Sequence, residues 1–351
     1  MTTSQLPRSV DGLDDAWASE VLGVPVTVTG REPVGAAAFA CKLVRLLLDG
    51  PASAPASMVV KLPIWGELRP MLDAIGAYGR EVRFYREIAS ELPVRTPKIY
   101  AAEQAADSTD FVLAMEDLVE CTQVGQVDGF TLDNAQAAVD GLARLHAWSW
   151  ANDVLLQRFS GSFWPITSEA GRGVQDQYAQ LYDHVMSLRG DAICALLPPE
   201  VVPLARRFTE FLPQMLDELA TPACITHGEL RADNLFFAPD GQPVFIDFQA
   251  CQQEAGVREL AYLLCTSVPI DVMANHEDRL IRRYCGQIPG YEYELARRQY
   301  RYATAYNLVL PIIANVRWED SDQRGRDTLD DMVRKLGAAA HRNRAQELFD
   351  A

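Results

Sequence analysis

Two short stretches of the sequence carry oxygen-bearing side chains of the kinds that chemistry on a phosphate group requires. Residues 227–234 read HGELRADN, and residues 246–249 read IDFQ. Phosphoryl transfer from ATP needs two metal-binding oxygens that bridge the nucleotide phosphates, and a carboxylate that orients the attacking hydroxyl. Asn234 ends a tight loop, and Asp247 follows an apolar V-F-I run, where an unpaired carboxylate would be costly to bury. We therefore expect both side chains to bind a divalent metal ion from the two sides of one hairpin.

The loop that ends at Asn234 also contains the candidate reacting groups. In the protein-kinase pattern the catalytic acid precedes the asparagine by five residues, and that position is Glu229 here. Arg231 lies where protein kinases often carry a lysine that faces the γ-phosphate, so its guanidinium could stabilise charge on the transferring group. The alternative is a surface arginine that pairs with Asp233.

The first third of the chain predicts a mostly antiparallel sheet with one long helix, over about residues 1–118. The stretch SMVVKLPI is a short apolar, β-branched run and predicts a strand that carries Lys61. Apolar residues at three- and four-residue steps predict a helix from about Glu67 to Leu92, which Pro93 ends. Lys61 could simply extend its amine to solvent, but a phosphate contact is favoured because Glu81, Asn234 and Asp247 follow in order.

The remainder of the chain, 119–351, is mainly helical by its periodicity. A helix is predicted over the stretch NAQAAVDGLARLHAWSWA (134–151), and further helices are predicted near 174–188, 200–219, 257–267, 271–285, 291–314 and 326–348. Between them the apolar segments LFF and VFIDF flank a Pro-Asp-Gly-Gln turn, which predicts a small hairpin.

Composition narrows the class of protein. The 351 residues suggest about two domains or lobes, and the net charge of −16 repels nucleic acid and anionic membranes. We therefore expect no nucleic-acid or membrane partner, and a small or cationic one instead. Seven scattered cysteines indicate reduced thiols, and the N-terminus lacks the layout of a signal peptide, so the expected location is the cytoplasm.

Taken together, these motifs resemble the aminoglycoside phosphotransferase/choline kinase-like family, whose catalytic loop reads H-G-D-x-x-x-x-N before an I-D-[FW] strand. The DFQ ending, the E-D-L at 116–118 and the R-E-V-R-F-Y helix look most like its ecdysteroid-kinase-like (CHK kinase-like) branch. The resemblance extends from about Val26 to Ala340. It implies an α+β, bilobal protein-kinase-like fold, with a small antiparallel β-rich N-lobe (1–118), a larger helical C-lobe (119–351) and an active site between them.

The resemblance also implies roles for individual residues. Lys61 would contact the α- and β-phosphates of ATP, and Glu81, or less plausibly Glu87, would pair with it. Asn234 and Asp247 would hold Mg²⁺. The remaining cofactor-binding positions are the nucleotide-loop residue Gly35 and the hinge residues Glu116 and Leu118, whose backbone would bind adenine.

Three positions depart from the family pattern. Glu229 replaces its catalytic aspartate, and the added methylene moves the carboxylate by about 1.5 Å, a displacement that can cost about a hundredfold in rate. The nucleotide loop, usually rich in glycine, reads Gly35-Ala36-Ala37-Ala38. Glu259 replaces an aspartate before L-A. Because both glutamates keep their charge and lengthen the reach, we consider that they compensate each other.

These observations favour an ATP- and Mg²⁺-dependent O-phosphotransferase that acts on a hydroxyl of a small molecule. The alternatives are a kinase-fold protein that binds a nucleotide or small molecule without phosphorylating it, and one recruited to another reaction. Tyrosines and an acidic run in the C-terminal helices fall in the region that forms the acceptor pocket in the family. Such a pocket would suit an amine-bearing alcohol, but for any individual tyrosine a place in the core is the favoured interpretation. The oligomeric state stays unknown from the sequence.

Overall fold

The structure is a computed structural model, and it describes residues 6–34, 41–64, 69, 76–106, 108–319 and 321–349. The chain forms two compact units. The first contains Met1–Cys121 together with the short segment Phe245–Ala250, and the second contains Thr122–Val244 and Cys251–Ala351. Candidate site residues lie in both units.

The first unit is built on a five-stranded sheet in the order β1-β2-β3-β5-β4, with antiparallel neighbours throughout. Its strands are β1 (Thr27–Pro33), β2 (Cys41–Asp49), β3 (Ser57–Pro63), β4 (Ile99–Gln104) and β5 (Phe111–Glu116). Helix α1 (Asp15–Leu22) begins at Asp14, whose carboxylate accepts a hydrogen bond from the Trp17 N–H at 2.9 Å. Leu46, Met58 and Val60 are completely buried and form the core with Trp17.

The long helix that the sequence predicts over 67–92 is shorter where the structure describes it. Helix α2 spans Ala77–Glu87 and is followed by a 3₁₀ turn at Ala89–Glu91, while residues 67, 68 and 70–75 lie outside the described residues. Phe84 of α2 stacks on Phe248 with ring centroids 3.7 Å apart. This stacking attaches the segment Phe245–Ala250 to the first unit.

The second unit is mainly helical. Its helices are α3 (Leu132–Ser149), α4 (Asp153–Phe159), α5 (Glu169–Cys194), α6 (Val202–Arg206), α7 (Phe208–Glu218), α8 (Gly256–Ser267), α9 (Ile270–Cys285), α10 (Tyr293–Tyr306), α11 (Val309–Ala314) and α12 (Gln323–Arg342). Its short strands are β6 (Thr122–Gln123), β7 (Ala223–Thr226), β8 (Leu235–Phe237), β9 (Pro243–Phe245) and β10 (Gln252–Ala255). Strands β7 and β10 form a two-stranded sheet. A separate three-stranded sheet has the order β6-β8-β9.

Several details differ from the sequence prediction. The helix expected over 200–219 breaks at Arg207 into two, and the one expected over 291–314 breaks after Tyr306. The predicted strand VFIDF ends already at Phe245 and gives way to a 3₁₀ turn at Phe248–Ala250. Short elements such as α4 and β10 carry too few periodic residues to be recognised from the sequence. Within the described part of the chain, no helix combines the length and the apolar character needed to cross a bilayer.

Candidate active site

In the first unit, one buried ammonium group lies between two carboxylates. Lys61 Nζ is 2.7 Å from Glu81 Oε2 and 2.6 Å from Asp247 Oδ1. Lys61 comes from β3, Glu81 from the second turn of α2, and Asp247 from the segment that stacks on α2. The side chains of Lys61 and Glu81 are 6% and 2% exposed, whereas that of Asp247 is 26% exposed. The pair that the sequence predicted, Lys61 with Glu81, is therefore formed, and Asp247 completes a cluster of three.

With both carboxylates ionised, this cluster would carry one negative charge in excess, and burial makes that excess costly. Burial lowers the pKa of Lys61, but the charges of Asp247 and Glu81 outweigh this effect and raise the pKa well above its usual range. Burial also raises the pKa of Glu81, to about 7, against the opposing attraction of Lys61. A second cation near Asp247 would offset the surplus charge.

Asp247 has an unusual backbone conformation for its residue type. Its φ angle is +66°, in the left-handed region that non-glycine residues rarely adopt, although aspartate does so more readily than most. Phe248, immediately after it, packs face to face on Phe84 and edge-on against Tyr85, with centroids 6.1 Å apart in the second case. The aromatic contacts hold the strained residue in place, and such strain is concentrated at functional sites.

The predicted hinge lies at the end of β5. The Glu116 N–H donates to the Lys98 carbonyl at 2.8 Å, and the Glu116 carboxylate accepts from the Lys98 N–H at 3.0 Å. Asp117 accepts from Arg45 Nε and from the Ser57 hydroxyl, both at 2.6 Å. The Leu118 carbonyl accepts from the Cys121 N–H at 3.0 Å. These bonds fix the segment, while Gly35 and the rest of its predicted loop lie outside the described residues.

In the second unit, the loop 227–234 follows strand β7. Gly228 has a φ of +91°, which only glycine adopts readily, and the loop closes in a 3₁₀ turn over Ala232–Asn234. Asn234 Nδ2 donates to the Glu229 carbonyl at 2.8 Å. Because this bond uses the amide nitrogen, Oδ1 is the atom of Asn234 that would contact a metal ion. An amide oxygen at Asn234 and a carboxylate at Asp247 are hard oxygen donors, so the chemistry of both side chains fits Mg²⁺.

Glu259, at the start of α8, holds the main chain of this loop. Its Oε1 accepts from the Gly228 N–H at 2.6 Å, and its Oε2 accepts from the His227 N–H at 2.9 Å. His146 Nε2 lies 2.9 Å from the same Oε2, and Tyr284 is hydrogen-bonded to His146 Nδ1 at 2.6 Å. Burial alone would raise the pKa of Glu259, but the hydrogen bond and attraction of His146, with smaller contributions from His227 and Arg258, lower it to about 2. Glu259 is thus an ionised, fully buried anchor.

Arg258 supports the same loop from its carbonyl side, and sequence reasoning missed it. Its Nη1 and Nη2 both donate to the Gly228 carbonyl at 3.0 Å, and its Nε donates to Glu254 Oε1 at 2.8 Å. Glu254, Arg258 and Glu259 are each at most 1% exposed. The signal in the sequence is an Arg-Glu pair at the start of an apolar helix, since buried charges persist only when they are paired.

Glycine at position 256 permits the close packing around this anchor. A Cβ atom there would lie 2.5 Å from His146 Nδ1 and 2.9 Å from Cys224 Sγ, and closer still to the Tyr284 hydroxyl. We expect Gly256→Ala to lower the free energy of unfolding by about 1–3 kcal/mol, because this overpacking displaces His146 from Glu259. Chemical denaturation measures the change. Gly161→Ala is the control, since a Cβ there meets nothing within 4 Å, and an equal loss in both variants would contradict the prediction.

Arg231 and Glu229 lie on the exposed side of the loop, with side chains 22% and 30% exposed. Arg231 Nη1 donates to Asp233 Oδ2 in a short hydrogen bond, which is the pairing expected of a structural arginine. Its Nε also lies 3.7 Å from Glu229 Oε1. A role for Arg231 in charge stabilisation during phosphoryl transfer stays a prediction.

Most tyrosines of the C-terminal helices belong to the core. Tyr291, Tyr300 and Tyr306 are at most 5% exposed, and Tyr306 donates to Gln175 Oε1 at 2.8 Å. The guanidinium carbon of Arg189 lies over the Trp318 ring, 3.4 Å from the ring centroid. Asp320 of the acidic run is outside the described residues. An aromatic acceptor pocket is therefore not assembled from these three tyrosines.

Comparison with known proteins gives the fold and the family. No curated protein sequence matches the chain. Three similar solved structures illustrate the sequence identity, the coverage of each chain and the TM-score. The GDP complex of wild-type aminoglycoside 2'-phosphotransferase-IIIa has 14% identity over 88% of this chain and 93% of that chain, with a TM-score of 0.56. Choline kinase LicA from Streptococcus pneumoniae has 13% identity over 92% and 96%, with a TM-score of 0.55. The streptomycin–ATP–APH(2")-IIa ternary complex has 11% identity over 89% and 94%, with a TM-score of 0.50.

At these identities the similarity demonstrates the fold, and it confirms the α+β, kinase-like class that the sequence predicted. The family assignment has a separate basis. The sequence pattern of the ecdysteroid kinase-like family matches residues 37–290, which is most of the chain. The chain therefore belongs to the ecdysteroid kinase-like family, a kinase-like family of small-molecule phosphotransferases.

Proposed function

We propose that the protein is an ATP- and Mg²⁺-dependent O-phosphotransferase that acts on a hydroxyl of a small molecule. The observation that carries this proposal is the buried cluster in which Lys61 Nζ lies within 2.7 Å of both Glu81 and Asp247. A buried ammonium fixed in this way is prepared to bind a phosphate group without first losing side-chain freedom. Nucleotides bound to two similar structures, GDP in one and ATP in the other, support the proposal.

Asn234 and Asp247 are the residues that would hold Mg²⁺. When bound, the ion would neutralise charge on the nucleotide phosphates. Within the described ranges, no group of three or more histidine, cysteine, aspartate or glutamate side chains could hold a metal ion by itself. Mg²⁺ is commonly held by one or two protein oxygens together with substrate phosphates, so two protein ligands suffice for an ion that arrives with a nucleotide.

The chain's own residues then have separate tasks. Lys61 binds the α- and β-phosphates, and Glu81 keeps its ammonium in place. The backbone of Glu116 and Leu118 binds the adenine base. Glu229 accepts a hydrogen bond from the acceptor hydroxyl and orients it for attack, while Glu259 keeps the loop backbone fixed beneath it. Because the phosphoryl transition state is loose, positioning and charge neutralisation provide most of the rate.

The acceptor that best suits this chain is an alcohol that also carries an amine. The chain has a net charge of −16, which attracts cationic molecules and repels anionic ones. Similar structures include complexes named for kanamycin and streptomycin, and a choline kinase. We therefore propose amino-alcohols as the first acceptors to test.

Thermal denaturation with nucleotide, paired with an ADP-release assay over a panel of amino-alcohols, tests the proposal. We expect ATP to raise the melting temperature only when Mg²⁺ is present, and at least one acceptor to release ADP. Lys61→Met should abolish both effects, whereas Lys42→Met, on the exposed side of β2, should leave them unchanged. Nucleotide binding without turnover of any acceptor would instead support a protein that binds nucleotide without catalysis. The reason to consider this alternative is that Glu229 replaces the family aspartate. Indifference to nucleotide would contradict both.

A further inference from the structure

The guanidinium of Arg231 lies among the acidic side chains of its own loop. Asp233 accepts a short hydrogen bond from Nη1, and Glu229 Oε1 lies 3.7 Å from Nε. Burial lowers the pKa of Arg231, but the charges of Asp233 and Glu229 outweigh it and raise the pKa above its usual range. The positive charge is therefore permanent and is directed at these two carboxylates.

A second anchor fixes the position of this guanidinium. Gln126, which is 3% exposed, donates from Nε2 to the Thr266 carbonyl at 2.7 Å, and its Oε1 lies 3.4 Å from Arg231 Nη1. The loop is tied to the same place, because the Ala232 N–H donates to Ser267 Oγ at 2.9 Å. Arg231 is thus restrained from the loop by Asp233 and from α8 through Gln126, and its Nε remains turned toward Glu229.

We infer that Arg231 is a positioning residue, which restricts the carboxylate of Glu229 to the orientation that the acceptor hydroxyl requires. This inference rests on the proposed function. A glutamate has one more rotatable bond than the aspartate of the family pattern, so its carboxylate needs an additional restraint. The 3.7 Å separation is too long for a hydrogen bond, and the restraint is charge attraction between two partly buried groups. Displacements of about 1 Å can cost about a hundredfold in rate, so even a modest restraint affects turnover.

The competing role for Arg231 is direct contact with the transferring phosphoryl group. The two roles differ in how Arg231 depends on the length of residue 229. If Arg231 acts through Glu229, its removal should matter little once a shorter aspartate, about 1.5 Å farther from Nε, replaces the glutamate. If Arg231 contacts the phosphoryl group, its removal should cost the same factor with either acid.

A double-mutant cycle of Arg231→Met and Glu229→Asp, measured as ADP release with an accepted alcohol, tests this inference. We expect Arg231→Met alone to lower kcat by about 10- to 100-fold with the KM for ATP changed less than about twofold. In the Glu229→Asp background the same change should lower kcat by less than about threefold. Arg231→Lys, which keeps the charge, should restore part of the loss and also serves if the methionine variant folds poorly. Arg206→Met is the control, since Arg206 pairs with the highly exposed Asp191.

Equal losses in both backgrounds, or a KM for ATP raised about tenfold by Arg231→Met, would overturn the inference while leaving the proposed function intact. Absence of turnover by the wild-type protein with every acceptor, despite nucleotide binding, would refute the proposed function and this inference with it.

Discussion

Replacing Asp247 with asparagine should reduce kcat by about a thousandfold. Asparagine keeps the shape of the side chain but removes its charge, so Lys61 loses one of its two anionic partners and Mg²⁺ loses its only proposed anionic protein ligand. A loss of about 4 kcal/mol in transition-state stabilisation corresponds to this factor. Steady-state ADP release measures it.

The same variant should also lose the Mg²⁺-dependent part of its thermal stabilisation by ATP. Asp240→Asn is a suitable control, because Asp240 lies in the exposed turn between β8 and β9 and accepts a local bond from the Gln242 N–H. Retention of more than about a tenth of wild-type kcat by Asp247→Asn would show that Asp247 is not the principal metal ligand.

Glu259→Gln should impair both folding stability and turnover. The carboxylate accepts bonds from the His227 N–H, the Gly228 N–H and His146, whereas a glutamine amide presents one oxygen and one donor to the same three groups. A buried, broken network of this kind costs about 3 kcal/mol or more, and the displaced loop should lower kcat by about a hundredfold. Glu210→Gln, at an exposed ion pair with Arg207, is the matched control for charge loss.

The dependence of stability on pH provides a second measurement for Glu259. Its pKa falls from an ordinary value of 4.5 to about 2 on folding, so the folded state gains stability above pH 4.5 and loses it as the pH falls toward 2. The contribution is on the order of 3 kcal/mol at neutral pH. The difference in unfolding free energy between wild type and Glu259→Gln should therefore narrow below pH 4.5. A difference that stays constant between pH 5 and pH 3 would contradict the anchoring role.

Local patterns in the sequence were sufficient for most of the helices and strands, whereas the kinase-like class of fold came from the family resemblance. The strand SMVVKLPI, the helix that carries Glu81 and the short strands on either side of the Pro-Asp-Gly-Gln turn all follow from alternation, periodicity and turn chemistry. The partnership of Lys61 with Glu81 came from the resemblance, and the structure forms it. The roles of these residues in catalysis stay predictions.

The contacts that support the loop 227–234 could not be predicted from local patterns. Arg258 and Glu259 are adjacent in sequence, and both bind the main chain of Gly228, about thirty residues earlier. Arg258 donates to the Gly228 carbonyl, whereas Glu259 accepts from the Gly228 N–H. The left-handed conformation of Asp247 depends likewise on stacking between Phe248 and Phe84, which are distant in sequence. Such contacts arise from tertiary packing, and the periodicity of helices and strands cannot predict them.

The division of the chain between its two units has a consequence for how the protein is made. Lys61 and Glu81 belong to Met1–Cys121, but Asp247 and Phe248 reach that unit only with the segment Phe245–Ala250. During synthesis on the ribosome, the stretch Thr122–Val244 emerges before the last piece of the first unit. Lys61 therefore gains its second acidic partner only after most of the polypeptide has been translated, and a chain truncated at residue 121 would lack that partner.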